Sequence, residues 1–195
     1  MRLVTLAEVP SAEAQPLFVE FVNTLHWYAG APIELIGNES DFAAWLLEHA
    51  LPAVDVSGCL PEVYRLREHL RGITEALASQ RALPPADMDA LQAALSAPTG
   101  SLRIIEPENT QPHLGFATDA AVATVFKFQI ALSVALFLRS PQRHRLKLCA
   151  NPVCGFAFVD TSTNATRRWC FMRYCGNRVK VRAFRGRQRS DQRER

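Results

Sequence analysis

The sequence predicts an α+β protein in two parts, a helix-rich body over residues 1–140 and a small cysteine-bearing finger over 141–195. Three observations predict it. Apolar residues recur at helical spacing through most of the first part. Four of the five cysteines fall between positions 149 and 175. The charge also changes sign along the chain: residues 1–138 hold 7 Lys or Arg against 16 Asp or Glu, and residues 139–195 hold 15 against 3. An acidic body of net −9 therefore carries a basic end of net +12. The 195 residues, 48% of them apolar, suffice for one medium domain with an appendage.

The elements follow in order. Residues 1–10 suggest a short strand. The apolar run Leu17–Tyr28 fits helix or strand, and helix is expected. Ile33–Ile36 is a brief apolar run closed by a turn at Gly37-Asn38. Ser40 is the expected N-cap of a helix over Asp41–Ala50, with Phe42, Trp45 and Leu46 on its apolar face. Pro61–Ala82 reads as an amphipathic helix, since Val63, Leu66, Leu70, Ile73 and Leu77 share one side. Pro84-Pro85 opens another helix running to Ser96. Leu102–Ile105 and His113–Ala117 are strand candidates joined by a turn over Pro107–Pro112. Thr118 or Asp119 should cap a long helix to Leu138 that is apolar nearly all round, hence the centre of the core. Lys127 and Gln129 at its middle argue against a membrane span. Ser140-Pro141 ends it. Residues from Gly186 onward are expected to fray.

Neither a secretory signal nor a transmembrane segment is read from the chain, so a cytoplasmic protein with reduced thiols is expected. In that compartment clustered cysteines suggest a metal. Cys149, Cys154, Cys170 and Cys175 follow C-x4-C-x15-C-x4-C, two close pairs separated by a spacer that brings the chain back to one ion. Four thiolates in tetrahedral array suit a single Zn2+. Gly155 and Gly176 after the second cysteine of each pair would permit tight turns, and Phe156, Phe158 and Trp169 would cover the site. Cys59 has no neighbour of its kind and reads as a small apolar residue.

The stretch Cys149–Arg187, with Asp160-Thr161-Ser162, Asn164, Arg167-Arg168-Trp169-Cys170 and Cys175-Gly176-Asn177-Arg178, resembles the CGNR zinc-finger family. In that family the finger follows an N-terminal ABATE domain, whose motif is similar to Phe21-Val22-Asn23-Thr24-Leu25 here. The resemblance implies a bacterial protein of a group described as stress-induced transcription regulators. It also implies a treble-clef-like finger: a knuckle at Cys149/Cys154, a hairpin pairing Phe156–Asp160 with residues near Arg167–Cys170, and a helix bearing Cys175.

On a helix from Asn177, Arg178, Arg182, Arg185 and Arg189 fall within about 60° of one another, with Lys180 and Arg187 on another flank. Val179 and Ala183 would face the metal core. Together with Arg167 and Arg168 beside Cys170, this stripe makes nucleic acid, DNA first, the expected partner. Asn177 would cap the helix or reach a base edge, and capping is the expected role. A competing reading makes the finger a protein-docking module, on a partner or on the acidic body itself. Homo-oligomers are compatible with either. In the body, the polar pair Asn23-Thr24 with His26 and Trp27 marks a candidate pocket for a small effector. The histidines 26, 49, 69, 113 and 144 show no metal spacing, and neither phosphate loop nor nucleophile elbow is present, so no enzyme is expected. Loss of a ligand, as in Cys154→Ser, should release the metal and unfold 149–185 while the body stays folded.

Overall fold

The long apolar helix becomes the axis about which the rest is packed. The computed structural model describes residues 1–6, 14–52, 55–106 and 112–193. Its elements are β1 (Arg2–Thr5), α1 (Leu17–Val22), β2 (Leu25–Tyr28), β3 (Ala31–Glu34), α2 (Glu39–Glu48), α3 (Leu60–Ala78), α4 (Pro85–Ser96), β4 (Gly100–Ile105), β5 (His113–Thr118), α5 (Val122–Arg139), β6 (Leu146–Leu148), β7 (Ala157–Val159) and α6 (Asn177–Arg193). Short 3₁₀ and π turns occupy Pro141–Arg145 and Met172–Gly176.

In α5, Phe126, Ile130, Val134 and Phe137 are buried against α1, α3 and α4. By length and composition α5 could cross a membrane, but these side chains are the core of this fold. Phe126 receives Phe21 and Phe42 edge-on, at ring-centroid distances of 5.0 and 5.1 Å. Such packing adds about 0.5–1.5 kcal/mol per pair beyond burial. The predicted stripe of α3 is buried as expected at Val63, Leu66, Leu70 and Ile73. A three-stranded antiparallel sheet of order β1-β5-β4 lies alongside, with Phe116 packed on Phe128 of α5. The turn expected over Pro107–Pro112 falls mostly outside the described residues.

Several boundaries differ from the sequence reading. The run Leu17–Tyr28 is not one helix. It breaks at Asn23-Thr24, and Leu25–Tyr28 turns back as a hairpin with Ala31–Glu34. Ala29 and Gly30 both have positive φ, 57° and 90°, the two-residue turn that matches strand twist. The cap of α2 is Asn38, not Ser40: its side-chain oxygen accepts from the Asp41 N–H at 2.9 Å. Helix α5 begins after Ala121, while the Thr118 hydroxyl accepts from the Ala120 N–H just upstream. Helix α6 runs on to Arg193 rather than fraying at Gly186.

The finger's hairpin also differs. β7 pairs with β6, Leu146↔Val159 through Leu148↔Ala157, and not with Arg167–Cys170. The knuckle is the turn of this hairpin. Residues 167–170 approach the same edge through a single backbone bond, Ala150 N–H to Arg168 O at 2.8 Å. Leu146, Ala157 and Val159 are buried in the same apolar cluster as α1, α3 and α5. Apolar packing therefore runs without a gap from the helical body into the finger.

Candidate metal centre and nucleic-acid interface

The turn of the β6–β7 hairpin places Cys149 and Cys154, and the π turn before α6 places Cys175. Cys170 arrives from the returning loop. All four are buried, and their sulfurs lie within 4.8 Å of one another. The Cys154–Cys170 and Cys170–Cys175 sulfur pairs are 3.7 and 3.6 Å apart. A tetrahedron with Zn–S bonds of about 2.3 Å has edges of about 3.8 Å, so the donor set fits one Zn2+. Thiol hydrogen bonds from Cys154 and Cys170 pull Cys149 far down, to about 2. The proximity of Cys149 pushes Cys154 up to about 12, and Cys149 and Cys154 raise Cys170 as well. Thiols packed this tightly cannot all ionise without a cation among them.

The surroundings are built for the cluster. Phe158 is buried against the sulfurs, with Phe156 and Trp169 half-buried beside it. The Asn151 amide donates to the Cys175 sulfur at 3.5 Å. Gly155 has a φ of +66°, and a Cβ there would meet the Trp27 ring at 2.9 Å, so both backbone and packing require glycine. Gly176 has no such backbone need. It lies in the π turn, where an added Cβ would meet only the flexible end of Met172.

Asp160 braces the loop that delivers Cys170. Its carboxylate is fully buried, and accepts from Lys147 Nζ at 2.6 Å, Ser162 N–H at 3.0 Å, Ser162 Oγ–H at 2.6 Å and Arg167 N–H at 2.8 Å. Burial alone would raise its pKa, but Lys147, Ser162 and the Arg167 N–H outweigh it and hold the group well below the usual carboxylate range.

The residues singled out as a candidate pocket are engaged in hydrogen bonds within the fold. Asn23 is buried, and its amide is spent on β7: Nδ2 donates to Ala157 O and Oδ1 accepts from Ala157 N–H, both at 2.8 Å. Two residues along β7, the Gln15 amide does the same for Val159, at 3.3 and 2.7 Å. Two side chains thus stand in for a missing strand on the free edge of β7. The Thr24 hydroxyl donates to Phe21 O and accepts from Arg67. The Trp27 backbone N–H donates to Cys154 O at 2.9 Å, and Arg71 donates to Leu25 O at 2.7 Å while lying over the Trp27 ring. His26 holds Asn23 O through Nδ1. The motif Phe21–Leu25 with its neighbours is therefore a latch that seats the knuckle on the body. Two cavities of about 300 and 340 Å³ lie elsewhere, one between α3, α4 and α5, the other beside Lys147, Arg167 and Arg168.

Among the predicted nucleic-acid contacts, Arg168, Asn177, Arg178, Lys180, Arg182 and Arg185 are exposed, and Arg167 is half-buried. Arg167 lies over the Phe158 ring at 4.5 Å and Arg168 over Trp169 at 5.3 Å. Arg178 covers the Tyr28 ring at 3.9 Å. Val179 is half-buried, while Val181 and Phe184 of the same helix are exposed. The side chains of Ala183, Arg187 and Arg189 lie outside the described residues. Asn177 occupies the first position of α6. Sequence reasoning missed Gln15, Tyr28, Arg71, Lys147 and Asn151. Only Asn151, two residues after a ligand in C-x-N-x-x-C, carried a local signal.

No curated protein matches the chain. The CGNR zinc-finger model matches residues 145–188, covering all four cysteines. The ABATE model, described as "Putative stress-induced transcription regulator", matches residues 15–141. That match spans more than half of the sequence and includes the latch, and the cysteine cluster lies wholly within the second match, so the chain belongs to the ABATE family and carries a CGNR zinc finger after that domain.

Proposed function

We propose that this chain is a cytoplasmic transcription regulator that binds DNA through its finger, with α6 as the contacting element and no catalytic role. The observation that carries this reading is the state of the basic side chains. Among the described residues, none of Arg178, Lys180, Arg182 and Arg185 forms an ion pair, although the body they are tethered to is acidic. A charged stripe left uncompensated among the described residues is available to phosphates. Within the fold, α6 packs chiefly on the π turn at its start, so the rest of the helix projects outward. Zinc contributes rigidity: it fixes Cys175, and with it the angle at which the helix leaves the body. The family description supports the regulatory part of this reading.

The test is an anisotropy titration of zinc-loaded protein against duplex DNA at two salt concentrations. Binding that weakens steeply with salt supports the proposal, since each phosphate contact adds about 0.9 to the log–log slope. No binding at low salt would end it. Oligomer formation lost on reversing Arg182 and Arg185, with DNA ignored by the native protein, would favour the docking module instead.

A further inference from the structure

Beside the metal centre the surface carries large aromatic rings that the fold leaves about half exposed. Tyr28 of β2 is 46% exposed, Phe171 52% and Tyr174 48%. They are contiguous. Tyr28 meets Tyr174 at a centroid distance of 6.5 Å, and Tyr174 meets Phe171 at 6.2 Å, each nearly edge to face. Guanidinium groups are set among them: Arg178 over Tyr28 at 3.9 Å, Arg173 near Tyr174 at 6.0 Å, and Arg167 near Phe171 at 5.9 Å. Among the described residues none of these arginines is ion-paired.

Single exposed apolar residues need no explanation, but a contiguous patch of rings does. Here the rings are interleaved with guanidinium groups that no described carboxylate pairs. That combination suits a ligand offering flat π faces and a phosphate backbone together. A duplex hides its base faces in the stack, whereas an unpaired strand presents them. The ring-to-ring steps of 6.5 and 6.2 Å are nearly twice the spacing of about 3.4 Å between stacked bases of one strand. Because neighbouring rings stand nearly perpendicular, a bound strand would splay its bases, one to a ring, rather than keep them in one stack.

We propose that Tyr28, Phe171 and Tyr174, with Arg173 and Arg178, form a stacking platform for unpaired bases, so that this protein takes single-stranded nucleic acid in addition to, and more tightly than, duplex. The site is composite: Tyr28 comes from the ABATE domain and the other residues from the finger. The inference rests on the nucleic-acid reading above and names the form of the ligand.

The experiment titrates the zinc-loaded full chain against a labelled oligothymidine and against a duplex of equal length at one salt concentration. Tyr28→Ala, Phe171→Ala and Tyr28→Phe are measured alongside, with zinc content determined for each. Stacking contributes about 1–3 kcal/mol per base, so each alanine variant should bind the single strand about 5- to 150-fold more weakly. Zinc content and the salt slope should stay unchanged, duplex affinity should stay unchanged in Phe171→Ala, and Tyr28→Phe should bind as the native protein does. Zinc-loaded alanine variants that hold the single strand at native affinity would overturn the platform. So would equal losses on both ligands, or an altered oligomeric state with unaltered binding. In each of these cases duplex binding by α6 would still stand, whereas failure of the native protein to bind either ligand would remove both readings.

Discussion

Asp160 shows how one side chain sets the loop that completes the metal site. It joins β7 to the start of the returning loop through four hydrogen bonds, with Lys147 as its counter-charge. Asp160→Asn would leave the half-buried Lys147 ammonium without its counter-charge and should cost about 3–5 kcal/mol, read from urea midpoints at unchanged slope. The pH dependence has a definite sign. Because the folded carboxyl is held below its ordinary value, the folded protein binds fewer protons in acid. Its contribution is then complete above about pH 4 and lost as pH falls towards the folded value. Asp160→Asn should flatten that limb. His49 runs the opposite way. Burial lowers its pKa, but Glu20, Trp45 O and Glu48 more than reverse this and raise it above 6.5. Its contribution is full below that value and fades as pH rises through the raised one. His49→Gln should remove this decline, measured as melting temperature across neutral pH.

Among the elements, the helices were legible in the sequence because each buries one stripe at regular spacing. α3, α4 and α5 lie within a few residues of where periodicity and proline punctuation put them. The run Leu17–Tyr28 was not, because apolar and aromatic residues on consecutive positions satisfy both periods; what breaks it is the commitment of Asn23 to a strand 134 residues away. Nothing local announces such a bond. The pairing of β7 was missed for a related reason: three-residue strands are too short to show alternation, and β6 lies before the first cysteine. The latch gives an element-scale prediction. Asn23→Ala leaves a buried N–H and C=O of Ala157 unpaired, about 1–3 kcal/mol each. Gln15→Ala should cost less, as the Gln15 amide donates at the longer distance of 3.3 Å. For α6, reversing Arg182 and Arg185 to Glu should abolish the proposed duplex binding with thermal stability essentially unchanged, because both side chains are exposed.

At the scale of the whole molecule, composition and cysteine spacing made the metal centre legible, but not its dependence on the body. Read from sequence, the finger is an appendage whose loss leaves the body standing. In the fold, Leu146, Ala157 and Val159 belong to the same buried cluster as Phe18, Phe137 and Leu70. Gln15, Asn23, Trp27 and Arg71 add polar ties to β7 and the knuckle. Zinc bound at the knuckle therefore stabilises more than the residues that touch it. A ligand that binds only the native state adds RT ln(1 + [L]/Kd) to whatever unfolds with its site. Removing zinc by chelation, or losing it through Cys154→Ser, should accordingly lower the melting temperature of the entire chain within one cooperative transition. Buried Trp45 and half-buried Trp27 provide the probe, one from the body and one from the latch. Coincident loss of near-ultraviolet and far-ultraviolet signals, at a midpoint that shifts with free zinc, is the expected result. A zinc-free chain that melts in two steps, the later one unmoved by zinc, would show instead that the body keeps its fold without the knuckle. Retention of one equivalent of zinc by Cys154→Ser would contradict the ligand assignment itself.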